Sequence, residues 1–326
     1  MAAASASVGQ LLVVGELCVD LIVEVDEIRF GQHEQIVPRT TLTMGSSSAI
    51  TACGAAALGV PTRLVSVRGD DAFGRFLDDE LVRRGVDTSR VRVDASIPTG
   101  ASTHLTRPGG DRAILTSLGS IGTVTSSDVH AEDLAAAAHL HVGSYFLQYA
   151  LHQEAPALFA AARAAGVRTS LDGNFDPEEC WDCGILDVMP HVDVFFGNEE
   201  ELTGVTGTAD IDAAVQRLLA IMPDGAIVIA KLGADGAAAV RRAGAGTTRI
   251  HAESPSLASP LVDTVGAGDT LAAGFVAARL QQMALADALA FAVACGTAST
   301  RGSGGVGAQP DAATARALAA SVTVSA

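Results

Sequence analysis

Basic and aromatic residues are scarce in this chain. Only 21 of its 326 residues are Lys or Arg, against 37 Asp or Glu, so the formal net charge at pH 7 is −16. Lys231 is the single lysine. A chain without a basic stripe lacks the charge that holds nucleic-acid phosphates, so we predict no nucleic-acid partner. Aromatic residues make up 4% and hydrophobic residues 48%, which indicates a core of Ala, Val and Leu.

Long uninterrupted apolar runs are also missing. The stretch LLVVGELCVDLIVEV at 11–25 is broken by Glu16 and Asp20, and no segment reaches the length that spans a bilayer. No basic residue precedes this stretch, so a secretory signal is not indicated. We therefore expect no membrane partner, a cytoplasmic location and a flexible tail at 1–9.

Several familiar motifs are absent or incomplete. A Walker P-loop needs Gly-Lys followed by Ser or Thr, whereas Lys231 precedes Leu232. GSGGVG at 302–307 has dinucleotide spacing but leaves no room for a βαβ unit, so we interpret it as a structural loop. The cysteines are odd in number, which argues against a disulfide framework. Cys180 and Cys183 form a CxxC whose role stays open, since no second pair completes a zinc site.

Short apolar segments alternate with helical ones along the chain. We predict strands in LLVVG, RLVSVRG, HLHVG, VRTSLDGN, VDVFFGN and GAIVIAKLG, and helices at 46–59, 71–85, 152–166 and 210–222. This alternation is typical of an α/β fold with a doubly wound, mainly parallel sheet flanked by helices. Two stretches at about 21–44 and 99–119, the second around the turn PGGD, have strand-like patterns and no helix. We expect them to form a small β-sheet lid over the ligand-binding edge of the sheet.

The stretch DTVGAGDT at 263–270 opens directly into an apolar helical segment. Gly266, Ala267 and Gly268 could cradle a phosphate, because a helix start leaves N–H groups unpaired and its dipole attracts anions. Asp269 would repel that phosphate unless it accepts a proton from an attacking hydroxyl. A simple helix cap and tight turn is an alternative that the local pattern leaves open.

Polar side chains follow other predicted strands. Lys231 ends one strand, where an ammonium suits a nucleotide phosphate. Asn198 and Glu201 would share one face of a helical turn and could hold Mg²⁺ through its water shell. Taken alone, the pair is better explained by helix capping, and the metal role gains support from Asp269 and Lys231. Carboxylates, amides and small residues at further strand ends suit the hydroxyls of a polar ligand: Asp20, Gly45, Ser46, Asp172 and Asn174. Each alone is more often a cap or turn former, and their convergence at one sheet edge suggests a pocket.

In this order the motifs resemble the ribokinase-like (PfkB) carbohydrate kinase family. The residues that carry the resemblance are DTVGAGDT at 263–270, NEEE at 198–201, KLGADG at 231–236, and MGSSSAITACGAAALGV at 44–60 followed by RGDDAFGRFL. The resemblance covers one kinase domain at 10–312. It implies a ribokinase-like fold and an ATP-dependent enzyme that transfers the γ-phosphoryl group to a hydroxyl of a sugar or sugar-like substrate.

The resemblance also implies roles for individual residues. Asp269 would be the catalytic base, and Gly266 to Gly268 the anion hole. ATP and Mg²⁺ would be bound by Lys231, Gly233, Gly236, Asn198 and Glu201. The sugar would contact Asp20, Gly45, Ser46, Asp172 and Asn174. Asp263, with the loop at 299–304, would correspond to a monovalent-cation site for K⁺ that not every member uses. As in some members, the lid could form a homodimer.

Three departures from the family pattern concern the substrate. Ser46 stands where a second glycine is usual, Ile50 where sugar kinases often have asparagine, and Asp176 where the pattern D-x-N-x-R has arginine. The missing asparagine and arginine remove two polar contacts, so the identity of the acceptor is not determined. A nucleoside kinase of the same fold and a non-catalytic ligand-binding regulator are the alternatives to a sugar kinase.

Overall fold

The computed structural model describes residues 9–31, 34–107, 112–244 and 246–326. The tail expected at 1–9 lies outside these residues apart from Gly9, and the predicted turn PGGD at 108–111 lies outside them entirely.

Strands and helices alternate through most of the chain. The strands are β1 (Gln10–Val14), β2 (Cys18–Glu24), β3 (Thr40–Met44), β4 (Thr62–Gly69), β5 (Asp87–Asp94), β6 (Gly100–Thr106), β7 (Arg112–Ser117), β8 (Ala137–Val142), β9 (Arg168–Asp172), β10 (Val194–Asn198), β11 (Ile227–Lys231), β12 (Ala237–Ala243), β13 (Gly246–Ala252) and β14 (Val324–Ser325). The helices are α1 (Ser47–Ala57), α2 (Ala72–Arg83), α3 (Ala131–Ala136), α4 (Ala155–Ala164), α5 (Ile185–Val188), α6 (Glu199–Thr206), α7 (Ile211–Ile221), α8 (Ala267–Leu280), α9 (Leu285–Ser299) and α10 (Ala312–Ala319). Short 3₁₀ turns lie at Ser126–Asp128, Tyr145–Leu147, Met189–His191 and Gly233–Asp235.

The larger sheet has the order β14-β13-β12-β11-β10-β9-β8-β1-β4-β5. From β11 to β5 all neighbours are parallel, whereas β12, β13 and β14 extend the sheet as antiparallel strands. The strand order reverses beside β1, and ligands of such sheets bind outside the carboxyl ends of the strands. The predicted α/β fold with a doubly wound, mainly parallel sheet is confirmed.

Helices bury both faces of this sheet, which explains why its central strands are mostly apolar. Along β1, Leu11 and Val13 belong to the core on one face, which α1, α8 and α9 complete. Leu12 and Val14 belong to the core on the other face, under α4, α6 and α7. Small residues allow close packing between α8 and α9, since a Cβ at Gly274 would lie 3.0 Å from Ala292 Cα.

A separate four-stranded sheet has the order β3-β2-β6-β7. It is built from the two strand-rich stretches expected to form the lid, so the prediction of a second, small sheet is confirmed. One face of β2 is buried through Cys18, Asp20 and Ile22, whereas the described residues of β7 are all exposed.

Two other sequence features can be placed in the fold. The glycine run at 302–307 forms turns between α9 and α10, as expected for a structural loop. Cys180 and Cys183 are free, exposed thiols. In the part of the chain that the structure describes, no helix is long and apolar enough to cross a membrane.

Candidate active site

A cleft of about 680 Å³ lies at the carboxyl ends of β10 and β11, beside the start of α8. The predicted site residues in its lining are Asn174, Asn198, Glu201, Lys231, Gly233, Gly236, Gly266, Ala267, Gly268 and Asp269. Four strand or helix ends far apart in sequence therefore meet in one cavity. The lining does not include the predicted residues Asp20, Gly45, Ser46, Asp172 and Asp263, whose described positions follow below.

The glycine turn before α8 is fixed by backbone geometry. Gly266 has φ 72°, in the left-handed region, and a Cβ there would lie 2.6 Å from Gly305 Cα. The N–H of Thr270 donates the helix's first internal bond, to the Gly266 carbonyl at 2.9 Å. The N–H groups of Gly268 and Asp269 precede that bond, so they have no intrahelical acceptor. The start of α8 therefore has the features of an anion-binding site.

Asp269 occupies the first turn of α8 with only 7% of its surface exposed. Burial raises the pKa of its carboxyl from the ordinary value to about 7, and the negative charge of Asp172 adds to the rise. The positive charge of Lys231 lowers this pKa, but its effect is smaller than that of burial and of Asp172. Asn174 Nδ2 lies 3.4 Å from Asp269 Oδ1, while Asn174 Oδ1 accepts a hydrogen bond from the Ser144 N–H at 2.8 Å. The result is a buried, oriented carboxylate that exchanges protons near neutral pH.

Lys231 is held by two carboxylates. Its Nζ donates to Asp172 Oδ2 at 2.9 Å and lies 3.1 Å from Glu201 Oε2. Burial alone would lower the pKa of the lysine, but these two charges outweigh it and the pKa is raised. Asp172 is 1% exposed, lies outside the cleft lining and holds Lys231 in place. The contact with the substrate that the sequence predicts for it stays a prediction.

Asn198 and Glu201 form a capping box at the start of α6. The Glu201 N–H donates to Asn198 Oδ1 at 2.9 Å, and the Asn198 N–H and Nδ2 donate to the two Glu201 oxygens at 2.8 and 2.9 Å. Both carboxylate oxygens thus already accept hydrogen bonds but keep lone pairs toward the cleft. Among the described residues no group of three or more His, Cys, Asp or Glu forms a metal site. The oxygens of the pair are of the kind that Mg²⁺ with its water shell binds.

The predicted sugar contacts lie at the junction of the small sheet and α1. Asp20 is 4% exposed on β2, with Oδ2 3.4 Å from His104 Nε2. A Cβ on Gly45 would lie 2.0 Å from Asp20 Oδ1, so the carboxylate packs directly on the Gly45 backbone. Ser46 has φ 76°, which explains why glycine suits this position. Its hydroxyl donates to the Glu16 carbonyl and accepts from the Ala49 N–H, so it caps α1.

Asp263 ties the glycine turn to the loop after α9. Its two oxygens accept hydrogen bonds from the Val265 N–H at 3.0 Å and the Gly304 N–H at 2.9 Å. Arg112 of the small sheet approaches Oδ1 to 4.0 Å. A cation at this carboxylate would have to compete with that guanidinium.

The sequence of this chain matches a known family profile. The profile described as pfkB family carbohydrate kinase matches residues 9–312. The chain belongs to the pfkB family.

Named relatives agree with this membership, and a solved structure agrees with the fold. A fructokinase from Klebsiella pneumoniae is 29% identical over 316 residues, covering 93% of this chain and 96% of the relative. An ATP-dependent ribose-1-phosphate kinase from Halopiger xanaduensis is 30% identical over 304 residues, covering 93% and 95%. The structure of Arabidopsis thaliana ribokinase complexed with ribose and ATP superposes with a TM-score of 0.79 at 24% identity, covering 96% of this chain and 99% of that one. This pfkB protein is therefore an ATP-dependent kinase with a hydroxyl group as acceptor.

One buried acid of this pfkB protein was missed by the sequence analysis. Glu16 is 2% exposed at the carboxyl end of β1, and its Oε2 accepts hydrogen bonds from Ser48 Oγ and Gln148 Nε2, both at 2.7 Å. It anchors the start of α1, and its charge contributes to the raised pKa of Asp269. The available signal was an acidic residue directly after the first strand. Its hydrogen-bond partner Gln148 could not be predicted, because it lies 132 residues away in the sequence.

The apolar residue at position 50 has a structural counterpart in this pfkB protein. A Cβ on Gly305 would lie 2.2 Å from Ile50 Cδ1, and one on Gly266 would lie 3.1 Å from Ile50 Cγ2. Ile50 thus packs against the glycine turn that opens α8.

Proposed function

We propose that this chain phosphorylates a hydroxyl of a neutral sugar or sugar-like acceptor, with Asp269 as the base and the start of α8 as the anion hole. The single observation that carries this is the position of Asp269, buried in the first turn of α8 and in the same cleft as Lys231, Asn198 and Glu201. The N-cap of α8 is Gly266 and no side chain caps this helix, so helix capping does not account for Asp269.

In this mechanism the acceptor hydroxyl gives its proton to the Asp269 carboxylate as its oxygen attacks the γ-phosphorus. The bond between the γ-phosphorus and the bridging oxygen breaks, ADP leaves, and the proton rests on Asp269 until solvent takes it. A pKa of about 7 suits this step, because a base works best when its pKa is near the operating pH. Asn174 orients the carboxylate through its contact with Oδ1.

Charge in the transition state is spread over the transferring phosphoryl group, so positioning and electrostatics dominate the rate. The N–H groups of Gly268 and Asp269 would face that charge at the start of α8. Asn198 and Glu201 would hold hydrated Mg²⁺, which supplies positive charge to the phosphates when it is bound. Lys231, with Gly233 and Gly236, would lie along the nucleotide.

Asp20 and the backbone at Gly45 and Ser46 would receive the acceptor under the small sheet, which acts as a lid. A buried carboxylate that contacts His104 through Oδ2 still offers acceptor oxygens for hydroxyl donors of the acceptor. Closing the lid would exclude water and limit hydrolysis of ATP. K⁺ near Asp263 is a further proposal, tested by comparing turnover in potassium and in tetramethylammonium salts.

The edge of the lid also bears on assembly. In β7, the last of the described strands in the small sheet, Ile114 is 49% and Leu115 61% exposed. Exposed apolar edge strands pair readily with another chain, so we propose a homodimer through the lid. Light scattering of the wild type and of Leu115→Glu tests it: the wild type should have twice the monomer mass, and a monomeric wild type would exclude it.

The proposed function is tested by supplying Mg-ATP with neutral sugars, polyols, sugar acids, sugar phosphates and nucleosides, and identifying products by ³¹P NMR. A phosphate ester of a neutral sugar or polyol is the expected product. An ester formed only on nucleosides would favour a nucleoside kinase. No ester from folded protein that binds ATP and a sugar would indicate a ligand-binding regulator.

A further inference from the structure

Arg301 is the residue of the cleft that none of the roles above uses. It follows Thr300, the C-cap of α9, and lies in the wall of the cleft beside Thr297 and Thr300. Its position is fixed by the backbone: the Arg301 N–H donates to the Ala298 carbonyl at 3.1 Å. The Thr300 carbonyl accepts hydrogen bonds from the N–H groups of Val262 and Asp263, in the segment that leads to the glycine turn.

The guanidinium of Arg301 has no partner among the residues that the structure describes. Its Nε is buried and, across the described residues, makes no hydrogen bond. No carboxylate of the described chain forms an ion pair with it either, although most arginines here do pair, including Arg63, Arg90 and Arg163. The Nε atoms of Arg68 and Arg84 are also buried and unbonded, but those guanidinium groups pair with Asp78 and Glu80. A buried N–H left without an acceptor is costly, and Arg301 has neither a hydrogen bond nor an ion pair among the described residues to offset that cost.

The charges of the cleft explain what such a group could bind. The ionisable residues in its described lining are Glu201, Lys231, Asp269 and Arg301. Lys231 is already neutralised by Glu201 and by Asp172 beneath it. Arg301 is therefore the cation of this lining whose charge is not matched by a carboxylate. A ligand carrying several negative charges needs such a group in a chain with a net charge of −16.

We propose that Arg301 binds phosphate oxygens of ATP in this cleft and contributes to nucleotide affinity. The inference rests on the proposed function, because it assigns the cleft to the nucleotide. A guanidinium offers up to five N–H donors in a planar fork that matches phosphate geometry, which a lysine cannot reproduce. Arg301 is then a nucleotide-binding residue and takes no part in the proton transfer assigned to Asp269.

The test is isothermal titration of ATP, ADP and adenosine into the wild type, Arg301→Gln and Arg301→Lys, without an acceptor. Loss of charge-assisted hydrogen bonds should raise the Kd of ATP by about 10- to 100-fold in Arg301→Gln, with a smaller rise in Arg301→Lys. The Kd of adenosine should change little. Arg217→Gln, an exposed arginine of α7, removes the same charge elsewhere and should leave every Kd unchanged.

Kinetics separate this inference from the proposed function. The KM for ATP should rise with its Kd in Arg301→Gln, while the KM for the acceptor and the melting temperature stay close to those of the wild type. An unchanged Kd for ATP in Arg301→Gln would overturn the role of Arg301 even if the wild type turns over. A raised KM for the acceptor alone would also overturn it, and would place the arginine in the acceptor site.

Discussion

Asp269→Asn should make the folded protein more stable at alkaline pH. The pKa of Asp269 rises from 3.8 to about 7 on folding, so the folded state holds this proton more tightly than the unfolded chain. The stability that protonation contributes is complete below about pH 4 and is lost as the pH rises through about 7. At about 1.36 kcal/mol per pKa unit, the ionised carboxylate costs about 4 kcal/mol at pH 8. Asparagine keeps the shape without the charge.

Urea unfolding of the wild type and Asp269→Asn at pH 5 and pH 8 measures this effect. The variant should gain up to about 4 kcal/mol in unfolding free energy at pH 8, and only about a third of that at pH 5. Asp26→Asn, at an exposed aspartate of the loop after β2, controls for loss of charge and should show no such pH dependence. A variant less stable than the wild type at pH 8 would show that the native contacts favour the ionised carboxylate, and would refute the reasoning.

Three further variants test separate parts of the site. Gly266→Ala should cost at least about 2 kcal/mol in unfolding free energy and abolish turnover, since the φ of Gly266 is 72° and the added Cβ would clash. The control is Gly207→Ala, at φ 63° with open space around it, which should cost about 1 kcal/mol and keep turnover. Equal losses in denaturant melts would contradict this. Lys231→Met should lower the unfolding free energy by about 3 to 5 kcal/mol, because it leaves buried carboxylates without their cation. It should also move the acidic limb of the pH–kcat profile to higher pH, because the lysine lowers the pKa of Asp269. An unshifted limb would argue against that coupling. Gly45→Ala should displace the carboxylate packed on it and raise the acceptor KM at least tenfold with the ATP KM unchanged, and equal rises in steady-state assays would count against an acceptor site there.

The sequence predicted the parts of the fold that periodicity governs. The central strands β1, β4 and β9 to β11 are short apolar runs bounded by glycine or polar residues, and their type follows from burial on both faces. Strand β5 was not predicted, because DTSRVRVD alternates charges that find partners only in the fold. Arg90 pairs with Asp133 and Arg92 with Asp128. Strand β12 was not predicted either, because it is rich in alanine, which has little preference for strands.

In the candidate site too, local features could be predicted from the sequence and contacts between distant segments could not. Motifs within a few residues, such as the turn before Asp269 and the pair Asn198 and Glu201, could be read locally. The partnership of Lys231 with Asp172 could not, because 59 residues separate them and nothing in either segment points to the other. The unmatched charge of Arg301 depends on every neighbour in the cleft, so only the folded arrangement reveals it.

The central claim is that Asp269 removes the acceptor's proton, and a coupled ADP-release assay with Asp269→Asn tests it most directly. The acceptor identified by product analysis is supplied with Mg-ATP, and ATP binding is titrated in parallel. The account predicts that acceptor-dependent ADP release falls by about 10²–10⁴-fold, as expected for the loss of general base catalysis, while the Kd of ATP rises by no more than a few fold. Turnover within tenfold of the wild type would contradict the account and return Asp269 to a structural role at the start of α8.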